Sequence, residues 1–149
     1  MREILFRGQE IRTKEWRFGY ILPVEGDSTA VIITHDYLSI NNYRVDPSTV
    51  GQFTGLLEGH WTKGREIKEN PQKIFEGDIL KVDLDWPPGG KGCRDGIVGT
   101  VIFLDGAFCF SSKPHSKEKR DSRELWDCYN REIIGNVTDN PELLEVNNA

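Results

Sequence analysis

The sequence predicts a mainly antiparallel β protein containing a small barrel. Three observations carry that expectation. Helical periodicity is nearly absent along the 149 residues, short runs rich in Val, Ile, Phe and Tyr recur, and Gly, Pro, Asn and Asp interrupt them at the spacing of short strands. A chain of this length suits a single unit with two lobes, 1–72 and 73–149. Folding then removes about two-thirds of its unfolded surface from water.

The first strand is expected at Glu3-Ile4-Leu5-Phe6, ended by Arg7-Gly8. From Glu15 to Leu22 the residues alternate, placing Trp16, Phe18 and Tyr20 on one face of a strand and Arg17 and Gly19 on the other. Turn residues at Glu25-Gly26-Asp27-Ser28 return the chain as the β-branched run Thr29 to Thr34, which makes a hairpin. His35 to Asn42 reads as a loop and Tyr43-Arg44-Val45 as a short strand. Asp46 is placed to cap a single helical turn with Pro47 at its first position. Gly51 is expected to supply the positive φ that ends this turn, after which Gln52-Phe53-Thr54 runs extended.

Glu58 to Gln72 is polar apart from Trp61 and Ile67 and predicts an exposed excursion. Ile74-Phe75 then leads into a tight turn at Glu76-Gly77-Asp78. The turn launches a strand from Ile79 to Leu84, with Leu80, Val82 and Leu84 as its apolar face. Pro87 to Gly92 breaks the pattern as a loop. Gly96 to Leu104 turns at Asp105-Gly106 and returns as Ala107 to Ser111, the expected type I′ hairpin signal. Val98 to Leu104 is apolar on both faces, so this strand is expected at the centre of its sheet. Lys113 to Arg123 is a charged linker, and Leu125 to Tyr129 reads equally as a strand or a short turn of helix. Arg131 to Val137 is the last strand. Asn140 then caps, and Pro141 opens, a short terminal helix docked by Leu143 and Leu144.

Composition narrows the function classes. Nineteen basic side chains against 24 acidic ones leave a net charge of −5. Duplex-binding domains usually carry a basic balance because neutralising phosphates supplies much of their affinity, so bulk charge counts against nucleic acid. No apolar run approaches the roughly 20 residues of a membrane helix, and the N-terminus lacks the apolar centre of a signal peptide. A cytoplasmic protein is expected. Cys93, Cys109 and Cys128 are odd in number and widely spaced, which predicts reduced thiols, with Cys109 inside an apolar strand.

No catalytic, cofactor or metal residue can be assigned. Gly89-Gly90-Lys91-Gly92 lacks the leading Gly and the Ser or Thr of a phosphate loop and reads as a hairpin loop. Asp83 and Asp85 share a strand face, two residues apart, but no third carboxylate or histidine neighbours them. A solvated strand edge accounts for them. His35, His60 and His115 have no metal-ligand spacing, and no nucleophile elbow is present. What remains is partner contact. Lys117, Lys119, Arg120 and Arg123 form a basic cluster diluted by acids, and His60-Trp61 places an aromatic in the polar excursion.

Four segments, taken together and in order, carry a family resemblance. They are Arg2 to Gly8 followed by Trp16 and Gly19, Val45 to Leu56, Lys73 to Leu80, and Ile133 to Leu144. On these the chain resembles the YopX family of bacteriophage and prophage proteins. The resemblance implies a mainly β fold with a C-terminal SH3-like barrel starting near Glu76-Gly77-Asp78, and a bacterial cytoplasm as its setting. Asp46, Pro47, Gly51, Gly77 and Asp78, turn-setting by their local chemistry, are among the residues that mark the family. The resemblance supplies no catalytic residues, because the family has no established activity. The segment Leu57 to Gln72 is longer than the family's polar link, and the loop Pro87 to Asp95 is individual to this chain. The expectation is a non-enzymatic accessory protein, without cofactor, that binds a host or phage protein. Nucleic-acid binding through Lys113 to Arg123 is the alternative, and a homo-oligomer is compatible with either.

Overall fold

Alternating β-branched and aromatic residues build eleven strands in the computed structural model, which describes residues 2–24, 26, 30–35, 38–59, 69–85, 89–113 and 122–145. The protein is mainly β, with two antiparallel sheets and one short helix. Contacts divide the chain into two units, Met1–Gly55 and Leu56–Ala149. Among the described residues no helix is long and apolar enough to cross a membrane.

The first unit contains β1 (Phe6–Gln9), β2 (Trp16–Pro23), β3 (Ala30–His35), β4 (Ile40–Val45) and most of β5 (Gly51–Leu57), in the order β4-β3-β2-β1-β5. The sheet curls: Glu10, just beyond β1, bridges Val45 of β4, and Asp46 N donates to Gln9 O. Inside the curl lie Ala30, Ile32 and Val45, packed by Phe6, Ile21, Tyr43 and Val50. Arg17 closes this side, 4.2 Å from the Tyr43 ring centre and 2.8 Å from a Glu10 carboxylate oxygen.

Two strands differ from expectation. The first begins at Phe6, not Glu3, and Gly8 lies inside it. That glycine marks a close approach, since a Cβ there would stand 2.9 Å from Val45 Cγ2. β4 takes in Asn41 and Asn42, read from sequence as loop, because the ladder to β3 continues through Ile33–Asn42 and Thr34–Asn41. At the sheet edge, polar side chains of this kind are tolerated.

Asp46 caps a 3-10 turn, Pro47–Thr49, as expected. Its Oδ1 accepts from Ser48 N at 2.9 Å and Ser48 Oγ at 2.7 Å, and the Ser48 hydroxyl contributes most to holding its pKa below the usual carboxylate value. The expected positive φ at Gly51 is not found. The turn leaves through Val50 at φ −69° and ψ 126°, an extended conformation, so Gly51 simply opens β5 opposite Arg7.

The second unit contains β6 (Lys73–Phe75), β7 (Asp78–Asp83), β8 (Ile97–Leu104), β9 (Ala107–Ser111), β10 (Ser122–Glu124), a 3-10 turn (Leu125–Asp127), β11 (Tyr129–Asn136) and α1 (Glu142–Glu145). Its five-stranded sheet runs β10-β9-β8-β7-β11, with β8 central as its apolar faces predicted. The β8–β9 hairpin turns through Asp105 at φ 50° and Gly106 at φ 82°, the two positive values a type I′ turn requires. Gly77 turns at φ 85°, and the Asp78 carboxylate is buried where its Oδ2 accepts from Phe75 N at 2.7 Å. The core joins Ile74, Leu80, Val82, Val101, Phe110, Leu125 and Cys128. Ile79 is fully buried too, so the start of β7 is covered on both sides, while Lys81 on the same face stays exposed. Leu125 enters the core as the chain turns, and Cys128 N donates to Leu125 O. Helix α1 is a single turn without buried residues, so Leu143 and Leu144 are only half covered.

Candidate functional site

An antiparallel sheet packed on one side normally shows polar side chains on the other. The first unit departs from this. With Ile21, Ala30, Ile32, Tyr43 and Val45 turned into the curl, the strand period sends Phe18, Tyr20 and Leu22 to the outside. Pairing aligns Tyr20 with Ile33 and Asn42, and Leu22 with Val31 and Arg44. The outer face therefore carries Phe18, Tyr20 and Leu22 on β2, Val31 and Ile33 on β3 and Ile40 on β4, with Asn42 and Arg44 along its β4 margin and His35 at the β3 position opposite Ile40. Phe18 is 47% exposed, Tyr20 61%, Leu22 52% and Ile40 73%. Taking roughly 200 Å² for each fully exposed side chain of this size, these four present about 450 Å² of largely apolar surface. On the β1 side, buried Arg7 lies opposite Phe18 with its guanidinium 4.8 Å from the Trp16 ring centre. Chemically, this face can exclude water from a partner.

The polar groups of the second unit are committed to structure. Arg94 clasps Asp85 with Nε at 3.0 Å from Oδ2 and Nη2 at 2.9 Å from Oδ1, while Arg94 N donates to Oδ2 at 2.7 Å. These bonds lower the Asp85 pKa to about 2. Asp83 Oδ1 accepts from Gly96 N at 2.7 Å, and its Oδ2 accepts from the Asn130 amide. Both carboxylates are thus hydrogen-bonded, Asp85 within the β7–β8 loop and Asp83 to that loop and to β11, where the sequence suggested a solvated strand edge. Among the described residues, no three His, Cys, Asp or Glu side chains are grouped to hold a metal ion. Burial pushes the Cys128 thiol up to about 12, which leaves it a poor nucleophile.

The clasp makes a testable expectation. A carboxylate with a depressed folded pKa stabilises above its unfolded value and loses that contribution as pH falls through the folded one. The Asp85–Arg94 hold should therefore be complete above 3.8 and lost as pH falls through about 2. NMR titration of the Asp85 carboxyl carbon reads this directly, and Arg94→Ala should move the midpoint upward. An unshifted midpoint in the wild type would reject the clasp.

Of the residues named for partner contact, His60, Trp61, Lys117, Lys119 and Arg120 lie outside the described residues. Arg123 is described. It sits in β10, donates through Nη1 to Leu84 O and lies 3.9 Å from Asp127 Oδ2, so its charge is engaged within the unit. The turn residues Asp46, Pro47, Gly77, Asp78, Asp105 and Gly106 all occupy turns or strand starts and meet no site. The alternation of Trp16, Phe18 and Tyr20 is legible in the sequence, but which side of β2 faces solvent is not. In the second unit Phe103 and Trp126 are also exposed, Trp126 on the 3-10 turn with its indole N–H donating to Glu124.

The family model described as YopX protein matches residues 5–145. No curated protein matches the chain.

Proposed function

The chain belongs to the YopX family, and from that premise we propose a phage-associated protein that works by binding another protein and catalyses no reaction. The observation that carries this reading is the apolar outer face of β2, β3 and β4, with Phe18, Tyr20 and Leu22 each about half exposed. The largest apolar patch on a monomer, typically about 300–600 Å², is often functional. A host or phage protein in the bacterial cytoplasm is the partner class, and His60-Trp61 is a further contact candidate.

We read the second unit as an SH3-like barrel. Support comes from its order, a meander of β7, β8, β9 and β10, followed by a 3-10 turn and a last strand, β11, that returns to pair with β7. Small barrels of this kind host many binding functions, which makes the fold compatible with the reading without specifying it. Nucleic-acid binding has less support. The net charge is −5, and the guanidinium of Arg123 is turned to Leu84 O and Asp127.

Capture with tagged full-length chain from infected or lysogenic cells tests the reading. Wild type should retain a stoichiometric protein that Tyr20→Asp loses. Tyr20 is exposed, so the substitution should leave the fold intact. A captured protein indifferent to Tyr20→Asp would move the site off this face.

A further inference from the structure

We propose that the outer face of β2, β3 and β4 packs face to face on the same face of a second copy of this chain, an inference that rests on reading it as a protein-binding surface. The composition of the face is the first reason. Of the outer positions Phe18, Tyr20, Leu22, Val31, Ile33, His35, Ile40, Asn42 and Arg44, six are aromatic or aliphatic, and the three polar ones lie at the perimeter, Asn42 and Arg44 on the β4 margin and His35 at the end of β3 opposite Ile40. An apolar, charge-depleted centre with a polar rim is the arrangement of a protein–protein interface core.

Electrostatics selects the face. Each copy carries a net charge of −5, so two copies repel at long range. The outer positions include no carboxylate, and Arg44 adds a positive margin to an acidic body. Two copies can close on this face without burying an unpaired negative charge, an arrangement that would be costly.

Shape and area fit the same occupant. Three adjacent strands span about 10 Å between their outer axes, a breadth that suits a second sheet stacked about 10 Å away. Specific interfaces bury about 800 Å² on each partner, and the four most exposed side chains supply about 450 Å² of that. Val31, Ile33, Asn42, Arg44 and, at the opposite margin, Trp16 extend the contact. Because each copy offers the same surface, the contact is isologous and closes as a two-fold dimer.

Sedimentation velocity of the full chain across the micromolar range tests this. The expected result is a species of twice 17.0 kDa. Tyr20→Asp and Leu22→Asp should each weaken it about tenfold or more, with circular dichroism unchanged. Asn42→Pro separates face stacking from edge pairing. Arg44 O points away from β3 to accept from Ile11 N, so Asn42 N–H, two residues earlier, also points outward. Removing it should leave the stacked dimer intact. A dimer that survives both Asp substitutions overturns the proposal. So does one lost in Asn42→Pro but kept in Leu22→Asp. A monomeric wild type that captures a foreign protein through Tyr20 overturns self-association and leaves the protein-binding reading standing. A monomer that captures nothing removes both.

Discussion

Gly99→Ala is expected to destabilise the second unit by about 3 kcal/mol, with a melting temperature lower by several degrees. The reason lies in how tightly β8 and β9 approach. A Cβ on Gly99 would overlap the carbonyl oxygen of Ser111, stand 2.8 Å from its carbonyl carbon and 2.7 Å from Phe110 Cζ. Ser111 is held by the ladder, where it pairs with Thr100 and Ser122, so its backbone has nowhere to retreat. Phe110 is fully buried in the core and cannot swing into solvent. Gly106→Ala makes the contrast. That glycine has φ 82° and open space where the side chain would go, so only backbone strain of about 1 kcal/mol is expected. Thermal unfolding followed by circular dichroism, with amide exchange along β8, distinguishes the two. A Gly99→Ala protein no less stable than Gly106→Ala would mean that β8 and β9 do not approach this closely.

Turns were legible because their chemistry is local. Asp105-Gly106, Asp46-Pro47 and Glu76-Gly77-Asp78 each declare themselves within three residues, and each turns the chain where expected. The side a strand presents is not a local property. Trp16, Phe18 and Tyr20 share a face whichever way β2 is turned, and an aromatic run invites the assumption that it faces the core. The reverse holds because the inner side at Gly19 is pressed against the Ile33 backbone, leaving no room for a side chain. The small residue marks the packed side, and the aromatics are left outside. Similarly, Ser122-Arg123 reads as the end of a charged linker because a three-residue edge strand is too short to show alternation. Only its pairing with Ser111, Phe110 and Cys109 makes it β10. What the sequence shows least is what depends on partners far along the chain, and the apolar outer face is one instance of that.

Glu58 is another, and its replacement carries the second large expected effect. The polar run beginning there reads as exposed, yet Glu58 is buried. Its Oε1 accepts from Ile133 N at 2.8 Å and its Oε2 from Gln72 N at 3.2 Å, while Glu58 N donates to Gln72 O at 2.9 Å. Next to it, Gly59 exchanges two backbone bonds with Arg131. One side chain thus satisfies amides 14 and 75 residues away, tying the end of β5 to the approach to β6 and to β11. Glu58→Ala leaves both N–H groups without this acceptor, at an expected cost of about 2–4 kcal/mol. Glu58→Gln keeps the volume but sets an amide donor against one of the N–H groups, so it should recover little of that loss. Asp78 performs the same service for Phe75 N across three residues, which is why that carboxylate could be read as part of a turn and Glu58 could not. Denaturant unfolding of the two variants, with amide exchange at Gln72 and Ile133, checks the assignment. Both amides should exchange faster in Glu58→Gln than in the wild type. A Gln variant of wild-type stability and unchanged exchange would show that packing, and not the two accepted hydrogen bonds, is what Glu58 supplies.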